Sequence, residues 1–127
     1  MILPHDLETS AHRSGEEYGW QRIDALRAVD AVTTAGLAVL GGEVWLVVGD
    51  SIWGVVPQRC GAPAIQHWSC ERRGDEAWAA YASRSATEGR QAISSIPDLS
   101  SAVLPERALV YYNLTWASES EWSTLSR

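Results

Sequence analysis

The strongest strand prediction falls on residues 108–117, which read ALVYYNLTWA. Successive side chains of a strand point to opposite faces of the sheet. One face of this strand would carry Val110, Tyr112, Leu114 and Trp116. Four large apolar side chains on one face predict that this strand covers the core.

Two helices are predicted before this strand. Residues 21–34 place apolar side chains at helical spacing, and Gly36 follows where a glycine often ends a helix. A second helix is predicted from residue 75 to about residue 93 or 96, before Pro97. Its apolar face is set by Trp78, Tyr81, Ala82, Ser85, Gly89, Ala92, Ile93 and Ile96.

Short β-rich segments lie between the helices. Residues 37–40, 43–48 and 52–56 are separated by Gly41-Gly42, which suits a hairpin turn or a bulge, and by Gly49-Asp50-Ser51. They predict a three-strand meander that the strand at 108–117 extends. The expected fold is α+β: a small, mostly antiparallel sheet with two helices packed on one face.

The length of 127 residues predicts a single domain. We expect a loose leader at 1–13, a globular core at 14–117 and a polar tail at 118–127. Within this division, Ser14 and Glu17 match the capping box of a helix. The sequence contains neither a secretion signal nor an apolar run long enough to span a bilayer, so the expected location is the cytoplasm.

The charge and the cysteines limit the chemistry. Ten basic and sixteen acidic residues give a net charge of −6, which disfavours nucleic acid as a direct partner. Cys60, His67 and Cys70 have the spacing C-x6-H-x2-C, and no fourth ligand accompanies them, so no metal or other cofactor is predicted. An alternative is a small-ligand-binding or thiol-dependent enzyme domain that uses Cys70 and His67, with Arg72 and Arg73 lowering the pKa of the thiol.

Acidic residues and tryptophans occur together through the middle of the chain. An acidic surface with aromatic side chains suits the binding of a basic protein, because charge speeds encounter and buried aromatics hold the complex. The competing interpretation is a solvated acidic face over an aromatic core.

Four segments resemble a family of bacterial immunity proteins, Immunity protein 40. They are Leu40-Gly41-Gly42-Glu43-Val44, Trp68-Ser69-Cys70-Glu71, the helix with Trp78 and Tyr81, and Tyr112-Asn113-Leu114-Thr115-Trp116. The resemblance covers roughly residues 20–116. It implies a non-enzymatic cytoplasmic protein that binds and neutralises the toxin domain of a polymorphic toxin. Such toxins are often nucleases and hence often basic.

The resemblance assigns no interface residues. Because binding residues concentrate in loops on rigid scaffolds, we expect the partner-binding surface in the turns and loops. The predicted residues are Trp53, Trp68, Glu71, Asp75 and Glu76, with Glu43 and Asp50 at the rim.

Overall fold

The computed structural model describes residues 3–49, 51–54, 67–95 and 108–125. The helices are α1 (His5–Ser10), α2 (Arg22–Thr34), α3 (Trp78–Ser95) and α4 (Glu119–Leu125). The strands are β1 (His12–Ser14), β2 (Glu17–Trp20), β3 (Ala38–Val48), β4 (Ser51–Gly54), β5 (His67–Ser69) and β6 (Ala108–Ala117). The predicted α+β class is confirmed.

All strand pairs are antiparallel, in the order β1-β2-β6-β3-β4, and β5 also pairs with β3. The predicted three-strand meander is wrong in its first turn, since residues 38–48 form one strand along the length of β6. Gly41-Gly42 lies at an irregularity of that strand, where the register shifts between Val39 and Gly41. The two glycines therefore lie at a bulge in β3, which is the alternative to a hairpin turn that the sequence also allowed. Val48 pairs with Ser51 directly after it, as the predicted second turn requires.

Helices α2 and α3 pack together on one face of the sheet, as predicted. Their buried residues Val29, Val32 and Ile93 share a core with Leu46 and Leu114 of the central strands. The end of α2 is closed by backbone bonds from Gly36 to the Thr33 carbonyl and from Leu37 to the Val32 carbonyl. Gly36 has a φ of 80°, so it supplies the left-handed residue that this ending needs.

Residues 3–13 are not loose, as the leader predicted at 1–13 would be. Leu3 and Leu7 are buried, and Leu7 lies on α1. The Trp20 indole donates a buried hydrogen bond of 2.7 Å to the Leu7 carbonyl. Residues 14–17 form a tight β1–β2 hairpin rather than a helix start, because Gly15 has a φ of 62° and Ser14 pairs with Glu17. Buried leucines and one long-range hydrogen bond therefore join this segment to the core.

The predicted polar tail contains α4. Its Trp122 packs on a second, smaller core made of Ala38, Cys70, Tyr81 and Ala82. The N-terminal turn of α4 is closed by reciprocal bonds between Ser118 and Glu121, which form a capping box. The helix therefore borders the segment that connects β5 to α3.

A candidate partner-binding surface around β5

Strand β5 lies unusually close to β3, and glycines make this approach possible. A Cβ at Gly41 would lie closer than 3.0 Å to the Trp68 carbonyl oxygen, and one at Gly42 would meet the Trp68 ring and the Asn113 carbonyl oxygen equally closely. The Trp68 side chain is half-buried and packs against the main core. The backbone N–H of Cys70, the residue directly after β5, donates to the Leu40 carbonyl at 2.8 Å. Residues 67–70 are thus held firmly against the sheet.

A charged network fixes the chain that leaves β5. The Arg84 guanidinium on α3 forms ion pairs with Glu76 at 2.8 Å and Glu88 at 2.6 Å. It also donates to the Glu71 carbonyl at 2.7 Å and to the Cys70 sulfur at 3.3 Å. The hydrogen bonds from Arg84 lower the pKa of Glu76 to about 2. The Glu76 carboxylate is therefore ionised and engaged by Arg84.

The environment of Cys70 does not suit a thiol nucleophile. Burial raises its pKa to about 11, and the hydrogen bond that the thiol donates to Glu88 adds to the shift. Residues 67–69 alternate in direction, so His67 lies on the face of β5 opposite Trp68, while Cys70 packs with Tyr81 under α3. The proposed His67–Cys70 pair is therefore not formed, and Cys70 is not activated.

The Cys60, His67 and Cys70 pattern lies only partly within the described residues. Within the described ranges, no three His, Cys, Asp or Glu side chains come together in a way that could hold a metal ion. Cys60, one member of the C-x6-H-x2-C pattern, lies outside those ranges.

Arg72 links α4 to the start of α3. Its guanidinium carbon lies 5.3 Å from the centre of the Trp78 ring and 4.9 Å from that of Trp122. It forms an ion pair of 3.0 Å with Glu119 and donates to the Glu76 carbonyl at 2.9 Å. A planar cation between two indoles is a stable arrangement that lysine would not reproduce. The position of α4 therefore depends on Arg72.

Two of the grooves that border β5 are lined by predicted acidic residues. The first, which we call the polar groove, has a volume of about 260 Å³ and is lined by Glu17, Leu40, Gly41, Gly42, Glu43, Trp68, Ser69, Asn113 and Thr115. The second, which we call the α4 groove, has a volume of about 420 Å³ and is lined by Leu40, Ser69, Cys70, Glu71, Arg72, Tyr81, Trp122 and Leu125. Leu40 and Ser69 belong to both, so the two grooves form one continuous surface.

The structure brings three of the predicted site residues to this surface. Glu43 and Trp68 line the polar groove, and Glu71 lines the α4 groove. Asp75 is exposed on the connection to α3. Trp53 lies on β4 opposite Leu46, and its side chain is outside the described part of the structure, as is Asp50.

Sequence reasoning named Arg72 only as a neighbour of Cys70, and it did not name Glu17, Trp122 or Leu125 as site residues. Glu17 faces the polar groove, and Arg72, Trp122 and Leu125 form one wall of the α4 groove. The tail offered one usable pattern: Trp122 and Leu125 are three residues apart, behind a serine and acidic residues that begin a helix. No local pattern indicates Glu17, because its place in the same groove as Glu43 results from pairing between distant strands.

A family model describes most of this chain. The model of Immunity protein 40 matches residues 6–113. The chain belongs to the Immunity protein 40 family. The match begins within α1, so it includes the segment that the sequence-based resemblance left out.

No curated protein and no solved structure matches the chain. None of the helices in the described segments has the length and hydropathy needed to cross a membrane.

Proposed function

We propose that this protein is the antidote to a toxin domain of a bacterial polymorphic toxin and neutralises it by binding. The observation that carries the proposal is the Immunity protein 40 match over residues 6–113. Within this proposal the protein acts in the cytoplasm, turns over no substrate, and needs no metal or other cofactor.

The charge of the chain supports a basic partner. The net charge is −6, and Glu43, Glu71 and Asp75 are all exposed. Among the described residues, no ion pair engages any of these three carboxylates. Other acids, such as Glu76 and Glu119, are paired with arginines of the same chain. The acids left for a partner therefore include a set beside β5, where a rigid backbone presents them.

The proposed interface is the surface formed by the two grooves and the connection between β5 and α3. Rigid backbone favours binding because little conformational freedom is lost on association. Glu43, Glu71 and Asp75 would contact the toxin, and Trp53 and Asp50 remain proposed members. Trp68 and Glu76 hold this surface in shape, and the exposed part of Trp68 adds apolar contact.

Co-expression tests the function. The toxin domain encoded beside this gene should arrest growth of a bacterial host, and expression of this chain should restore growth. Lack of rescue by an antidote that is well expressed and folded would contradict the proposal, and so would a neighbouring gene that encodes no toxic domain.

A further inference from the structure

The α4 groove has the composition of a site for a long basic side chain. Its lining includes the large apolar side chains of Leu40, Tyr81, Trp122 and Leu125. Glu71, at its edge, is exposed. Arginine and lysine place an aliphatic stem against apolar surface and keep the charged end near solvent or a carboxylate.

Glu71, the one carboxylate among the lining residues, forms no ion pair within the described part of the chain. Arg72 is the one cation among the lining residues, and Glu119 and the rings of Trp78 and Trp122 already occupy its guanidinium. The nearby Arg84 is engaged by Glu76 and Glu88. Neither cation therefore neutralises Glu71, which is left to attract a cation from a partner.

Leu125 gives the groove an apolar edge that the isolated chain leaves uncovered. Its exposed fraction is 70%, which places it among the most exposed large apolar residues of the described chain. Residues 119–125 lie beyond the matched residues 6–113, so the family match does not account for this wall. Beside the Trp122 indole, this leucine can exclude water from a charged contact when a partner binds.

We propose that the α4 groove receives an arginine or lysine side chain from the surface of the toxin domain. The stem of that side chain lies against Trp122 and Leu125, and its charged end reaches Glu71. This inference rests on the proposed function and adds to it the chemistry of the contact.

Two variants with matched controls test the groove. Leu125→Ser and Glu71→Arg should each raise the Kd by about tenfold or more for the purified toxin domain encoded beside this gene. Ile23→Ser replaces an apolar residue on α2 with an exposed fraction of 75%, and Glu8→Arg makes on α1 the same change in net charge as Glu71→Arg. Neither control residue lines the groove, and both controls should bind within about twofold of the wild type.

The controls separate local contact from long-range attraction, because each changes the net charge as much as its partner variant does. A second experiment pairs Glu71→Ala with single Arg→Ala and Lys→Ala substitutions on the toxin domain. One toxin position should show a loss of affinity that is not additive with Glu71→Ala.

The outcomes distinguish the two proposals. If the wild-type chain binds and both groove variants bind as the controls do, this inference is wrong and the proposed function stands. If the wild-type chain fails to bind the toxin domain, the proposed function itself fails.

Discussion

Replacing Leu7 by alanine tests whether α1 belongs to the core. Leu7 is 1% exposed, and its neighbourhood includes the buried bond from Trp20 to the Leu7 carbonyl, which the substitution leaves in place. Removal of three buried carbons costs about 2.4 kcal/mol at about 0.8 kcal/mol per carbon. The cavity left behind increases the total to about 3 kcal/mol.

Urea unfolding followed by tryptophan fluorescence measures this loss. With an m value of about 1.5 kcal/mol/M, the midpoint should fall by about 2 M. The melting temperature should fall by about 12 °C, at about 4 °C per kcal/mol for a chain of this length.

Leu125→Ala is the matched control, since it makes the same substitution at a side chain that is 70% exposed. It should change the free energy of unfolding by less than about 0.5 kcal/mol. A Leu7→Ala protein as stable as this control would refute the packing of α1 and restore the loose leader.

Three further predictions concern the region around β5. Gly42→Ala forces a Cβ closer than 3.0 Å to the Asn113 carbonyl oxygen, so it should lower the free energy of unfolding by at least about 2 kcal/mol. The control Gly74→Ala, whose Cβ meets nothing within 4 Å, should change that free energy by less than about 0.5 kcal/mol. Equal effects of the two variants in urea titrations would contradict the close approach at Gly42. In a Cys60→Ser variant at pH 8, Cys70 of the folded protein should react with iodoacetamide at least about tenfold more slowly than Cys70 of the protein unfolded in urea, because burial raises the pKa of the thiol. Equal rates in the two states would show that the thiol is accessible in the folded protein. The folded-state pKa of Glu76 is about 2, below its ordinary value of 4.5, so its ion pair stabilises the protein above pH 4.5 and this stability is lost as the pH falls towards 2. Glu76→Gln should therefore reduce the fall in the free energy of unfolding between pH 4.5 and pH 2. An unchanged pH dependence would argue against the pairing with Arg84.

Elements with a continuous local pattern were predictable. The helix predicted at residues 21–34 is observed at 22–34, and the strand predicted at 108–117 has those bounds. Gly36 was predictable as a helix end because its role depends only on adjacent backbone. In these segments local propensity and tertiary packing favour the same structure.

The predictions that failed depend on contacts between distant residues. Gly41-Gly42 reads locally as a turn, but its glycines are needed because Trp68 and Asn113 come close to them from β5 and β6. The first residues read as polar, although Leu3 and Leu7 suffice to join them to the core once Trp20 provides a hydrogen-bond donor. Short segments with few apolar residues give little periodicity, so their burial is decided by the rest of the fold.

The candidate surface was only partly predictable for the same reason. Loop placement indicated Glu71 and Asp75, and the structure leaves both exposed. Placement could not show that Arg84 occupies Glu76 from a position eight residues away, or that Arg72 holds α4 beside Glu71. The partners of a charged side chain follow from tertiary structure, and they decide whether its charge remains for another molecule.

The proposed function is the neutralisation of a toxin by direct binding. The most direct measurement is a titration of the activity of the purified toxin domain with this chain. We expect the activity to fall in proportion to the chain added and to be abolished only near molar equivalence. Full toxin activity in a molar excess of the chain, or complete inactivation by a small fraction of an equivalent, would contradict it.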